Sequence, residues 1–295
     1  MEVMRNEEDH VGTHSSRVVG MLAAVAALTL GLAVGGALAG PAVEAVPAAW
    51  SARGGTEDFQ WSWRLAPGKT IEIAGTNGEV HAVGTSGDKV EVTARKHANR
   101  SDPDKVTIEV LEHEGGITLC VRYPDVSGHH NECAPNGRSH MTTRNNDTQV
   151  DFELRVPAGV RFVGRTVNGD VEGRDLVADA EAHTVNGSIV LETRGRAEAT
   201  TVNGSVRARL GRLDRNGSVE FTTVNGSITL ELPENFDADV SARNVNGGIQ
   251  TDFPITIEGS AFGRHRLNGT IGQGGPRLEL STVNGSIRLK RAGSL

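Results

Sequence analysis

Thr184-Val185-Asn186-Gly187-Ser188-Ile189 is the stretch whose reading decides the fold. The hexapeptide returns at 201–206, 223–228 and 282–287. Looser copies lie at 166–171, 244–249 and 267–271, with an early echo at Asn77-Gly78 and Val80. Internal self-similarity outranks local propensity as a signal, because repeats fold as stacked units. The aligned pairs are Asn168-Gly169, Asn186-Gly187, Asn203-Gly204, Asn225-Gly226, Asn246-Gly247, Asn268-Gly269 and Asn284-Gly285, spaced 16–22 residues apart. Uneven steps exclude a fixed-length helical repeat and suit short strands joined by turns of variable length. A further pair at Asn216 falls between two steps and reads as an extra corner.

Asn-Gly favours positive φ, since glycine has no Cβ and asparagine tolerates the left-handed region. The flanking Val, Ile, Thr and Leu fit pleated strands. A two-residue hairpin at each pair would place Val185 opposite Ser188 and split the apolar residues between two faces. Val185, Ile189 and Leu191 instead share one parity, as do Val224, Ile228 and Leu230. The expectation is therefore a corner of a coil, with Val185, Ile189, Leu191, Val202, Val206, Val224, Ile228, Leu230, Val283, Ile287 and Leu289 buried. Stacked coils make an all-β repeat, a β-solenoid or β-helix-like stack of short strands, preceded by one hydrophobic N-terminal helix. The asparagines would serve as structural turns, and stacking would let their amides bond in a ladder.

Residues 18–39 carry no charge and span 22 residues, enough for a membrane-crossing helix, and end in Ala37-Leu38-Ala39. Residues 1–40 thus read as a signal peptide or a membrane anchor, and 41–58, rich in Ala, Pro, Gly and Ser, as a flexible linker. Trp63-Arg64-Leu65-Ala66-Pro67-Gly68, the stretch 152–159 and Leu230-Glu231-Leu232-Pro233 each precede a strand and then Asn-Gly. This slower repeat ties a divergent part, 59–150, to the repeat domain, 151–292. The polar stretch 126–147 is its long loop.

Aromatics make up only 4% of the chain and glycine 37 of 295 residues, so the core is aliphatic and turn-rich. The net charge of −7 and dispersed basic residues leave no footprint for nucleic acid. In an exported chain Cys120 and Cys133 would form a disulfide. Free thiols, or a metal site with His113, His129, His130 and His140, are the alternatives, although the spacing matches no standard zinc pattern. Carboxylates able to serve an enzyme are Asp170, Glu172, Asp175 and Asp179, and Glu231, Glu234, Asp237 and Asp239, which fall at strand ends and turns where solvated acids are ordinary. No nucleophile elbow, phosphate loop or HExxH is present, and no catalytic, cofactor or metal residue is named. Trp50, Trp61 and Trp63 would cap the amino-terminal end of the stack or meet a sugar.

The repeated T-V-N-G-S-I/V, the phrase LELPENFDADVSARNVNGG at 230–248 and LELSTVNGSIRL at 278–289 resemble bacterial exported proteins of the putative-adhesin, β-strand-repeat family of unknown function. The resemblance covers 59–290. It implies an all-β repeat at the cell envelope and transfers no catalytic residue. The expected function is a non-catalytic binding, adhesin-like or scaffold module meeting an envelope polymer or protein. A regulatory partner tethered by 18–39 and a carbohydrate-active enzyme are the alternatives.

Overall fold

The computed structural model describes residues 59–211, 217–257, 262–263 and 265–292. The N-terminal helix, the linker, Trp50 and Asn216 lie outside them. In chain order the strands are β1 Phe59–Trp63, β2 Thr70–Ala74, β3 Val80–Thr85, β4 Val90–His97, β5 Thr107–His113, β6 Gly116–Arg122 and β7 Gln149–Pro157. Then come β8 Arg161–Arg165, β9 Val171–Leu176, β10 Ala180–His183, β11 Ile189–Thr193, β12 Ala197–Asn203, β13 Val206–Leu210, β14 Ser218–Asn225 and β15 Ile228–Leu232. The last are β16 Ala238–Asn246, β17 Ile249–Thr251, β18 Ile255–Thr256, β19 Phe262–Gly263, β20 Arg266–Ile271, β21 Arg277–Asn284 and β22 Ile287–Arg291.

These strands form two sheets. The first runs β1-β4-β7-β3-β9-β11-β13-β15-β22-β17, and the second β18-β20-β16-β21-β14-β12-β10-β8-β2-β6-β5. Each repeat gives one strand to the second sheet, turns at Asn-Gly, and gives the next strand to the first. Strands of successive coils pair in parallel with equivalent residues in register, such as Ala199 with Phe221 and Ile189 with Val206. A hairpin would have paired them antiparallel within one repeat. Between the sheets lies an aliphatic core, with Ile189, Leu191, Ile228 and Leu230 wholly buried.

The corner corrects the expected burial. Ile189, Leu191, Val206, Ile228, Leu230, Ile287 and Leu289 are buried, but Val185, Val202, Val224 and Val283 are 36–39% exposed. The threonine before each valine points inward instead: Thr184, Thr201, Thr223 and Thr282 are buried. Parity read straight through the corner failed because the turn inverts it. An inward residue is followed by the next inward residue five positions on, as Thr201 is by Val206. Threonine suits this place because its hydroxyl donates to the glycine carbonyl of the preceding coil, 2.8 Å from Thr201 to Gly187 and 2.8 Å from Thr223 to Gly204. A buried carbonyl without a donor would be costly.

At three of the corners glycine is required for a different reason from the expected one. Gly187, Gly204 and Gly226 do not adopt left-handed φ. A Cβ on Gly204 would lie 1.9 Å from the Gly187 carbonyl oxygen, and the same clash recurs at Gly187, Gly226 and Gly285. Close backbone approach selects glycine at these three corners, whereas Gly169, Gly247 and Gly285 also take the expected positive φ, 154°, 146° and 158°.

Two further corrections concern the end of the chain. Asn268-Gly269 is not a repeat turn. It sits inside β20, antiparallel to β16, with Asn268 opposite Ser241. β20 pairs with β16 on one side and with β18 and β19 on the other, so the same dipeptide finds a different tertiary context. Nor do the coils stack in chain order. The final coil, β21 with β22, inserts between the coil of β14 and β15 and the coil of β16 and β17.

Candidate interaction surface

The Asn-Gly corners align into one ridge. Its asparagines form a continuous amide ladder. Asn168 donates from Nδ2 to Asn77 Oδ1 (2.7 Å), Asn186 to Asn168 (2.8 Å), Asn203 to Asn186 (2.9 Å) and Asn225 to Asn203 (2.8 Å). Asn284 donates to Asn225 (2.7 Å), and Asn246 to Asn284 (2.8 Å). Serines run beside them, with the backbone N–H of Ser205, Ser227 and Ser286 each donating to the Oγ of the serine one coil back. Within each motif the fold thus uses threonine, asparagine, glycine, serine and isoleucine. Valine is the apolar residue that faces solvent: Val167, Val185, Val202, Val224, Val283 and Val245 form an exposed apolar column along the ladder. Strands stack about 4.8 Å apart, so the column presents one isopropyl group at that interval.

The outer faces of the sheets are charged. On the first sheet Glu192, Arg209, Glu231 and Lys290 lie side by side in register. Arg209 bonds Glu231 at 2.6 Å and lies 3.6 Å from Glu192. His81 on the same face meets Glu79 (2.9 Å) and Glu172 (3.1 Å). Burial pulls the His81 pKa down, but the hydrogen bonds and charges of Glu79 and Glu172 outweigh it and leave it raised.

On the second sheet Glu181, Glu198, Glu220 and Glu279 occupy one row across adjacent strands. Glu181 is held by His183 at 2.6 Å and by Arg161 and Arg165. The His183 hydrogen bond, with the charges of Arg165, His183 and Arg161, outweighs burial and holds its pKa near about 2. Arg165 also reaches Glu72 (3.0 Å), which is almost wholly buried and accepts from Thr118 Oγ1 (2.9 Å) and the backbone N–H of Asn136 (2.7 Å) and Gly137 (2.9 Å). Sequence reading missed this row, yet its signal was present: Glu72, Glu181, Glu198, Glu220 and Glu279 each stand five residues before a ladder asparagine. The repeat is longer than the hexapeptide that marks it.

The acids singled out from sequence do not converge. Asp170 accepts from Ser188 N–H (2.7 Å) at the corner, Asp179 from Arg196 N–H (2.9 Å), Asp237 from Gln273 N–H (2.9 Å) and Asp239 from Thr270 Oγ1 (3.1 Å). Glu172 and Glu231 belong to the ion pairs above, Glu234 lies 4.0 Å from Arg291, and Asp175 takes a left-handed φ of 52°. Each serves a turn or an ion pair, which is why spacing alone could not gather them.

Cys120, in β6, and Cys133, in the following loop, are joined by a disulfide with Cα atoms 5.9 Å apart. His113 bonds Thr118, His130 bonds Asp125, and the backbones of His129 and His140 bridge to Val126 and Glu132. Among the described residues no group of three or more His, Cys, Asp or Glu is placed to hold a metal ion. Trp61 packs against the core, and Trp63, its ring stacked on Trp61 with centroids 6.5 Å apart, is partly exposed at the sheet edge.

Two of the hollows in the surface have volumes of about 180 Å³, beside Arg161, Glu181 and Glu198, and about 320 Å³, beside Trp63 and Lys89. They sit at or below the lower end of small-ligand pockets. An extended, repetitive surface is what the described residues offer.

A family model described as Toastrack DUF4097 matches residues 67–290. No curated protein matches the chain. Among solved structures, a putative cell adhesion protein from Clostridium sporogenes is 13% identical with a TM-score of 0.46, over 80% of this chain and 100% of that one. A putative adhesin from Bacteroides fragilis is 14% identical with a TM-score of 0.39, over 81% and 98%.

Proposed function

Because the chain belongs to the Toastrack DUF4097 family, we propose that it is a non-catalytic binding or scaffold module of the cell envelope, a solenoid-like stack whose corner ridge engages an envelope polymer or protein. The exposed valine column carries this reading. Every other residue of the motif has a structural duty, whereas the valines keep apolar surface in water on successive coils. A contiguous apolar patch on a soluble face marks an interaction site more often than scattered exposed residues do. The repeat suits a partner that is itself extended, because each coil repeats the same contact and weak contacts add along its length. Export to an oxidising compartment is supported by the apolar run at 18–39 and by the disulfide. In the described residues no helix is long and apolar enough to cross a membrane.

The test is capture of isolated envelope polysaccharides, peptidoglycan and envelope proteins by the full chain and by a Val185→Thr, Val202→Thr, Val224→Thr triple variant. Threonine keeps the shape and removes the apolar surface. The expected result is a captured partner whose binding falls at least about tenfold in the variant, with melting temperature retained. Binding that survives the triple variant and is lost on neutralising Glu198, Glu220 and Glu279 would move the contact to the second sheet and overturn the ridge.

A further inference from the structure

We propose that Asn246-Gly247 is a site of spontaneous deamidation, set apart from the other ladder pairs by its place at the open end of the stack. In the reaction the Gly247 backbone nitrogen loses its proton and attacks Asn246 Cγ. The N–Cγ bond forms, the Cγ–Nδ2 bond breaks, and Nδ2 leaves as ammonia with the proton. Water then opens the resulting succinimide to aspartate or isoaspartate. The step needs a glycine N–H free to be deprotonated and an asparagine side chain free to rotate onto it.

The ladder interior denies both. For Asn203, Nδ2 donates to Asn186 and Oδ1 accepts from Asn225, while Gly204 N–H donates to the Asn225 carbonyl (3.1 Å). Asn168, Asn186, Asn225 and Asn284 are tied in the same three ways. At the other end, Asn77 Oδ1 accepts from Asn168 and Gly78 N–H donates to the Asn168 carbonyl (2.9 Å). A Cβ on Gly78 would lie 2.2 Å from the Val150 carbonyl oxygen, so β7 packs over that coil.

Asn246 keeps one of the three bonds, from its Nδ2 to Asn284. Among the described residues its Oδ1 and the Gly247 N–H have no partner. The next residue is Gly248, where four of the other coils carry serine, and a Cβ there would meet nothing within 4 Å. Among the described residues the three-residue β17 is the edge of the first sheet, and β18, β19 and β20 belong to the second. The pair that lacks two of the bonds is therefore also the one followed by a residue with open space around it. Conversion would replace the donor that serves Asn284 Oδ1 with a negative acceptor. An isoaspartate would also lengthen the backbone between β16 and β17.

The full chain is incubated in mildly alkaline buffer, digested, and analysed by mass spectrometry with fragmentation that separates aspartate from isoaspartate. Two fewer hydrogen bonds to break predict conversion at Asn246 roughly tenfold or more faster than at Asn186, Asn203 or Asn225 in the native protein. The same chain in denaturant should convert all four at similar rates, since each precedes glycine. Native rates at Asn203 and Asn225 matching Asn246 would overturn the proposal. So would an Asn246 that stays intact while the denatured control converts.

Discussion

At the residue scale, the motif is a set of separate solutions to one corner. Gly204 has no space for a Cβ because the Gly187 carbonyl oxygen would lie 1.9 Å from it. Gly204→Ala should therefore destabilise by roughly 1–3 kcal/mol through overpacking. Gly248→Ala, in open space, should be neutral or gain a few tenths of a kcal/mol. Urea unfolding compares the two directly, and equal effects would show that the corner relaxes around an added carbon. The neighbouring pair separates inside from outside. Thr201→Val leaves the Gly187 carbonyl without its hydroxyl donor and should cost about 1–3 kcal/mol. Val202→Thr changes a solvent-facing group and should stay within about 0.5 kcal/mol. A reversed order would mean that the valine column, not the threonine row, holds the coils together.

At the scale of elements, identical neighbours in parallel register bring like side chains together. This helps where they are amides, hydroxyls or aliphatic groups. It opposes stacking where they are carboxylates, since like charges directly across strands repel. The second sheet answers at one end by placing Arg165, Arg161 and His183 around Glu181. Because the folded pKa of Glu181 is held near about 2, below its ordinary 4.5, its ionised form adds stability that is complete above pH 4.5. That stability is lost as pH falls through about 2. Melting temperature measured against pH should therefore decline in this window, and the decline should be shallower in Glu181→Gln. His81 runs the other way. Its raised pKa adds stability below pH 6.5 that fades as pH rises past the folded value, so His81→Gln should lose stability at mildly acidic pH and little at alkaline pH.

At the scale of the whole molecule, the coil order makes the C-terminal segment a wedge. Since β21 and β22 part β14 and β15 from β16 and β17, a chain ending at residue 276 should leave 238–251 without its partner coil. Because β20 still pairs with 238–243, hydrogen exchange should then show protection lost across 244–251 although those residues remain, with 161–210 keeping theirs. Retained protection at 244–251 would show that the two coils can close directly on each other. By itself the sequence determined that this is an all-β repeat with Asn-Gly at coil corners, because recurrence, turn chemistry and aliphatic flanks are local properties of the chain. It also carried the Glu row, five residues before each asparagine, for a reader who looked beyond the hexapeptide. Only the tertiary structure decided that threonine rather than valine enters the core, that glycine answers a neighbouring carbonyl, that Asn268 lies in a strand, and that the last coil inserts before the one it follows. Each of these depends on which backbone lies one coil away, and that contact joins residues 17 to 59 positions apart, beyond what local periodicity can encode.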